Sequence, residues 1–249
     1  MKDIFVLMEH RRGEMRDVSV EMLSGAAKLG GTVVAVLLGK DVDAFAEKAA
    51  GYADKVLYVN DAMFENYNSE LYQKALSALI KEHSPGVVLM GNTAQGVDLA
   101  PALAVELGAP LVTDVTAMEM DGDKPKPTRQ FYGGKLDAHL DMKDADVYIL
   151  TIREATFAAD EPSKSGEVVK ADAFKDLPED EQAVIEEKVE RYQEELADVL
   201  REASKLEREH RAEVESLNAE MAERAVSGRM DAARDALGTL QVDVEELAC

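Results

Sequence analysis

Four stretches of this chain are almost wholly apolar and rich in β-branched residues: IFVLM (Ile4 to Met8), TVVAVLLG (Thr32 to Gly39), KVLYV (Lys55 to Val59) and GVVLMG (Gly86 to Gly91). A strand with one face in water alternates polar and apolar residues, so a strand that is apolar throughout has to be covered on both faces. Parallel sheets meet that condition, because each crossover lays a helix against the sheet. The crossovers are present as amphipathic runs at Val18 to Leu29, Asp43 to Ala50, Ser69 to His83 and Val97 to Leu107, and a fifth strand candidate, LVTDVTAME, spans Leu111 to Glu119. In the third of these runs Leu71, Ala75 and Leu79 give the helical spacing, and Leu76 and Ile80 widen the stripe that faces a sheet. Gly30-Gly31, Gly51 and Gly108 stand where the helices stop and are expected to supply left-handed caps. The expected fold is a three-layer αβα sandwich, doubly wound around a mostly parallel sheet.

After Glu119 the pattern changes. PTRQFYGGKLDAHLDMK and DVYILTIRE predict two further strands, one of them antiparallel, around an exposed turn or bulge at Tyr132-Gly133-Gly134-Lys135. EPSKSG reads as a loop, and GEVVKA as a short strand. Beyond Leu177 the period changes again. Ile185, Val189, Tyr192, Leu196, Val199, Ala203 and Leu206 repeat with four-three spacing; His210 takes the next place, and Val214, Leu217 and Met221 resume after a one-residue slip. No proline or glycine falls between Pro178 and Gly228, and LPEDEQ is a helix start, with proline near the first turn and acids at the positive end of the dipole. A continuous helix over that interval is roughly 70 Å long, too long for a compact sandwich. The expectation is a coiled coil or a helical hairpin with a seam at Ile185 to Leu206. The domain boundaries are placed at 1–170 and 171–249.

Charge narrows the partners. With 50 acidic against 28 basic residues the chain carries a formal charge of −22, which repels phosphate backbones and anionic membrane surfaces, so nucleic acid and lipid are excluded as expected partners. Cys249 is the only cysteine, which leaves no disulfide framework and no thiolate metal cluster. No apolar stretch nears the ~20 residues of a membrane helix, and the first apolar run is too short for a signal-peptide core, so the expected location is the cytoplasm.

GNTAQGVDLAPALAVELGAPLVTD, Gly91 to Asp114, places a strand end, a small-residue loop and a helix start in succession. Backbone N–H groups at such a turn can face a phosphate, which makes Asn92, Thr93, Gln95, Gly96 and Asp98, with Thr113 and Asp114, nucleotide or interface candidates. The same residue types also serve turn geometry alone, and neither GxxxxGK[ST] nor GxGxxG is present. Asp98, Asp114, Thr113 and Thr116 have no histidine, cysteine or metal partner at a recognisable spacing for acid–base work. His10, His83, His139 and His210 lie in four different elements, without metal-site spacing. No catalytic residues and no metal ligands are expected.

MKDIFVLMEHRRGEMRDVSVEMLSGA, ADKVLYV, VVLMGNTAQGVDLAPALAVELGAPLVTDVTAME, RQFYGGKLDA and YILTIRE, taken in that order over residues 1–170, resemble the N-terminal domain of the electron transfer flavoprotein alpha subunit. The resemblance implies an adenine-nucleotide-hydrolase-like αβα fold, a heterodimer with the beta subunit, and service between flavin dehydrogenases and a downstream acceptor. In that family a second, flavodoxin-like domain supplies most FAD contacts. No such segment follows Lys170, so the resemblance implies FAD in the assembled complex and not on this chain alone. It also implies an electron-carrier subunit in place of a self-sufficient enzyme. Tyr132, Gly133, Gly134, Lys135 and Arg153 are the expected partner interface, being on loops at strand ends. The tail, AFKDLPEDEQAVIEEKVERYQEELADVLREASKLEREHRAEVESLNAEMAERAV, is similar to a helical segment of Lon-like ATP-dependent proteases. It carries neither a P-loop nor a protease domain. The chain then reads as a fusion near Asp172 whose tail is an assembly element, with self-association through it. An AMP- or ATP-binding module at the Gly91 to Gly96 turn is the alternative reading.

Overall fold

A computed structural model of the protein describes residues 2–11, 13–174 and 179–246, with side chains in the last stretch over 183–223 and at 229. The chain divides into two compact units, Met1–Glu186 and Glu187–Cys249.

The elements of the first unit are β1 (Ile4–Met8), β2 (His10–Arg11), β3 (Glu14–Met15), α1 (Asp17–Ala27), β4 (Val33–Gly39), α2 (Asp43–Ala50), β5 (Lys55–Asn60), α3 (Ser69–His83), β6 (Val87–Gly91), α4 (Ala94–Leu107), β7 (Leu111–Asp121), β8 (Lys124–Phe131), β9 (Leu136–His139), β10 (Tyr148–Ile152) and β11 (Glu167–Lys170), with one 3-10 turn at Ala62–Phe64. Nine strands form one sheet in the order β11-β5-β4-β1-β6-β10-β7-β8-β9; β2 and β3 make a separate small hairpin. Every pairing from β11 to β7 is parallel, and the two pairings beyond it are antiparallel. The unit is an α/β sandwich on a mostly parallel sheet. The four central strands β4, β1, β6 and β10 are buried at every position, as strands covered on both faces must be. Each fully buried Ile, Leu, Val or Phe there stabilises the fold by roughly 1.5–3 kcal/mol.

Helix ends follow local chemistry. Asn68 caps α3, its Oδ1 accepting from the Leu71 N–H at 3.0 Å, and Ser84 closes the helix in the left-handed region at φ 51°. Gly108 ends α4 as expected, at φ 62°. Gly51 does not, for it sits at φ −68°, and its glycine character answers a close approach, since a Cβ would press on Pro162. Helix α4 begins at Ala94, three residues before the expected Val97, because Thr93 is the cap. The region after Glu119 holds two antiparallel strands where one is expected, and the predicted YILTI strand is inserted in the sheet between β6 and β7.

Packing of the first unit continues past residue 170: Ala173 is buried and Phe174 stacks on Phe64 at 5.9 Å. The LPEDEQ start falls partly outside the described residues, which exclude Pro178. From Glu179 to Glu246 the chain is one continuous helix, α5, of 68 residues. This corrects the helical-hairpin alternative: no turn interrupts the described helix, which continues through Gly228. Ile185 and Val189 are buried, whereas Tyr192, Leu196, Val199 and Leu206 are exposed. No described helix is long and apolar enough to cross a membrane.

Candidate functional site

The strand order reverses at β1. From β1 the chain moves outward to β4 and β5 on one side, then returns to β6 on the other. Ligands of open α/β sheets sit at the carboxyl ends of strands beside such a reversal. Here those ends present Glu9, after β1, and Asn92-Thr93, after β6. Thr93 Oγ1 accepts from the Gly96 N–H at 3.2 Å, capping α4, and the same hydroxyl donates to the two carboxyl oxygens of Glu9 at 3.0 and 2.9 Å. Glu9 is only 5% exposed, and its backbone N–H donates to Ser19 Oγ at 2.8 Å. Burial raises the Glu9 carboxyl above its ordinary pKa, while the Thr93 hydrogen bond and the Arg16 charge act the other way. The glycines beside it are packing requirements, since a Cβ on Gly91 would meet Glu9 Oε1 at 2.8 Å and one on Gly96 would run into the Gly91 carbonyl.

That geometry decides what the turn accommodates. The positive end of a helix attracts anions, but at α4 a carboxyl group of the chain itself already lies on the cap hydroxyl. A phosphate brought there would meet Glu9. The Thr93 hydroxyl at this turn is therefore already engaged by a carboxyl group of the chain.

A second polar cluster lies at the ends of β6, β7 and β10. Asp114 stands at φ 61°, next to register shifts where β7 pairs β10 and β8. The bulge turns its carboxylate toward Arg153, whose Nε and Nη2 donate to the two oxygens at 2.8 and 2.7 Å. Arg153 Nη1 donates to Gln130 at 2.8 Å, Asn92 Nδ2 donates to Asp114 at 3.2 Å, and Thr151 Oγ1 donates to Asn92 at 2.8 Å while accepting from the Asp114 N–H at 3.0 Å. The Arg153 hydrogen bonds hold the Asp114 carboxyl below the usual carboxylate range, against a smaller opposing effect of desolvation, and raise Arg153 in return. Arg129 lies beside this cluster, donating to Thr113 at 3.2 Å with its guanidinium 5.1 Å from the Phe131 ring, and its Nε is buried without a partner. Nothing in this cluster is a nucleophile with a base. Its carboxylate is neutralised, and the arrangement is a rigid brace.

The structure divides the sequence candidates. Asn92, Asp114 and Arg153 share the brace, with Thr113 at its margin through Arg129. Thr93 and Gly96 belong to the α4 cap. Asp98 is elsewhere, accepting from the Tyr67 hydroxyl at 2.8 Å, so Asp98 and Asp114 do not form a carboxylate pair. Gln95 is half-buried on the first turn of α4. Tyr132, Gly133, Gly134 and Lys135 form the tip between β8 and β9, where Tyr132, Gly133 and Gly134 all have positive φ and Tyr132 is 81% exposed. Glu9, Thr151, Arg129 and Gln130 escape the sequence reading. A charged residue directly after an unbroken apolar strand is the signal that marks Glu9. Among the described residues no group of three or more His, Cys, Asp or Glu side chains is placed to hold a metal.

Comparison with known proteins matches residues 4–176 to the electron transfer flavoprotein domain. The electron transfer flavoprotein subunit alpha of Syntrophomonas wolfei is 39% identical over 171 residues, covering 68% of this chain and 54% of that protein. The subunit of the same name in Megasphaera elsdenii is 36% identical over 181 residues, 69% of this chain and 54% of that protein. The acryloyl-CoA reductase electron transfer subunit beta of Anaerotignum propionicum is 34% identical over 128 residues, 49% of this chain and 35% of that protein. The chain spans about half the length of the alpha subunits it matches, and residues after 176 lie outside the matched domain.

Proposed function

Because the chain belongs to the electron transfer flavoprotein family, we propose that residues 1–170 are the scaffold and subunit-interface domain of an alpha-subunit-like electron carrier, in the αβα form shared with adenine-nucleotide hydrolases. The family match over residues 4–176 carries this reading. A beta-subunit-like chain is its partner, flavin dehydrogenases are its electron donors, and it works in the cytoplasm. FAD belongs to the assembled complex. The Glu9 carboxyl at the α4 cap supports that part, because it already engages the Thr93 hydroxyl at the sheet reversal.

Recognition of the partner is assigned to the β8–β9 tip and its neighbour Arg153. Tyr132 presents an aromatic ring to solvent at a tip whose two glycines take positive φ, which exposes the ring as a large amphipathic contact for a partner. The brace of Asp114, Arg153 and Gln130 ties the end of β8 to the core of the sheet. Helix α5 is an association element outside the family domain, with self-association through the exposed part of the expected seam, from Tyr192 onward, in keeping with its likeness to the helical segment of Lon-like proteases.

Gel filtration with flavin absorbance tests the proposal. The chain alone should elute colourless. Mixed with an electron transfer flavoprotein beta subunit and FAD, it should form a stoichiometric complex that Tyr132→Asp weakens at least tenfold. Failure to form any complex at tens of micromolar, or a stoichiometric yellow chain on its own, would contradict it.

A further inference from the structure

The exposed apolar row on α5 has a directional charge pattern. At 3.6 residues per turn, Tyr192, Leu196, Val199, Val214, Leu217 and Met221 fall within a stripe roughly 60° wide, and each is exposed, from 36% at Leu196 to 68% at Met221. Strict heptads on a straight helix drift by about 20° per repeat. The eleven-residue step from Ala203 to Val214 cancels that drift, so over about eight turns the stripe stays on one side without supercoiling.

The two borders of the stripe differ. Along one run Glu195, Glu202, Glu209, Glu213 and Glu220; along the other run Gln193, Leu200, Glu207, Arg211 and Asn218. Arg191 and Lys205 on the same helix lie 3.9 Å from Glu195 and Glu209, which softens the acidic border without reversing it. When two copies of such a helix pack side by side, a parallel pair brings each border against the opposite border of its mate. An antiparallel pair brings each border against its own kind. The antiparallel arrangement therefore faces a row of glutamates with a second row of glutamates. In the parallel one that row meets Gln193, Leu200, Asn218, Arg211 and the single acid Glu207, so fewer acids face acids.

Resting on the reading of α5 as a self-association element, we propose that it pairs with a second copy of itself in parallel and in register along the stripe from Tyr192 to Met221. The pairing is opposed by the −22 charge on each chain, so added salt strengthens it. The smaller number of acids facing acids sets its direction, and the apolar stripe supplies its area. The small Ala203 and the polar His210 fix register, because a slipped pair would set them against Leu206 or Val214.

The test uses the full chain with Cys249→Ser, spin-labelled at Glu187→Cys or, separately, at Glu223→Cys. Sedimentation should give a dimer, tighter at higher salt, and dipolar spectroscopy should give a short label-to-label distance of roughly 20–30 Å for both variants, two helix widths apart. In any antiparallel pair at least one of the two distances exceeds roughly 50 Å, from ~1.5 Å of rise per residue. Such a result overturns the parallel arrangement while leaving self-association intact. A chain that stays monomeric at a hundred micromolar overturns the association reading itself, and this proposal with it. Glu207→Lys with Asn218→Lys should tighten the dimer roughly five- to tenfold by facing the glutamate border, at a few tenths of a kcal/mol per pair. No tightening contradicts the parallel contact.

Discussion

Leu89 and Leu217 are the same residue in opposite circumstances. Leu89 lies in β6 with no exposed surface, in a strand where every residue is covered; Leu217 lies on α5 with 52% of its surface in water. The first unit encloses its own apolar residues and its stability is internal. The α5 stripe from Tyr192 to Met221 shows its apolar residues to solvent, and on the proposed self-association a second copy supplies their burial. An apolar residue reports on core only when its strand or helix has something to lie against.

The sharpest contrast comes from truncating these two leucines. Leu89→Ala should cost about 2–5 kcal/mol in urea unfolding of the first unit, by lost burial and a residual cavity. The same change at Leu217 should move that transition by less than about 0.5 kcal/mol, and act only on association. Equal costs at the two sites would erase the distinction.

Between these extremes lie the polar clusters. Asp114→Ala should cost about 1–3 kcal/mol near neutral pH, since it leaves Arg153 and Asn92 without their acceptor. Asp114 has its pKa lowered by the fold, so its contribution is complete above the ordinary carboxylate range and is lost as pH falls through the depressed value; the deficit of the variant should shrink in acid. Glu9 has the opposite sign. Its pKa is raised by burial, so ionising it costs stability as pH rises through and beyond the carboxylate range. Glu9→Gln should stabilise the first unit at neutral pH and leave it unchanged in acid, read from paired thermal melts. A stabilisation that persists in acid would mean that the Glu9 charge is not its source.

Much of the first unit is legible because burial on both faces leaves an unmistakable trace: β1, β4, β6 and β10 are written as apolar runs. Other features are not local. The insertion of β10 between β6 and β7 depends on which strand ends meet in space, and adjacent sequence says nothing about it. Strand β8 is obscured by Pro125 and Pro127, which read as breakers. They are tolerated because the β9 pairing runs only from Thr128 to Phe131, so no partner strand requires an N–H from either proline; Pro127 only accepts, from the Leu140 N–H at 2.9 Å. Asn92, Asp114 and Arg153 are recognisable as polar residues at strand ends. Thr151 hides within an apolar run, and Glu9 looks like the start of a solvated segment until Thr93, eighty-four residues later, is seen donating to it.

Hydrogen exchange on the full chain tests the division between the two regions most directly. At low protein concentration the amides of β1, β4, β6 and β10 should exchange only through global unfolding, while those of residues 192–221 exchange orders of magnitude faster and become protected as concentration rises. Protection over 192–221 that is strong and independent of concentration would contradict the account.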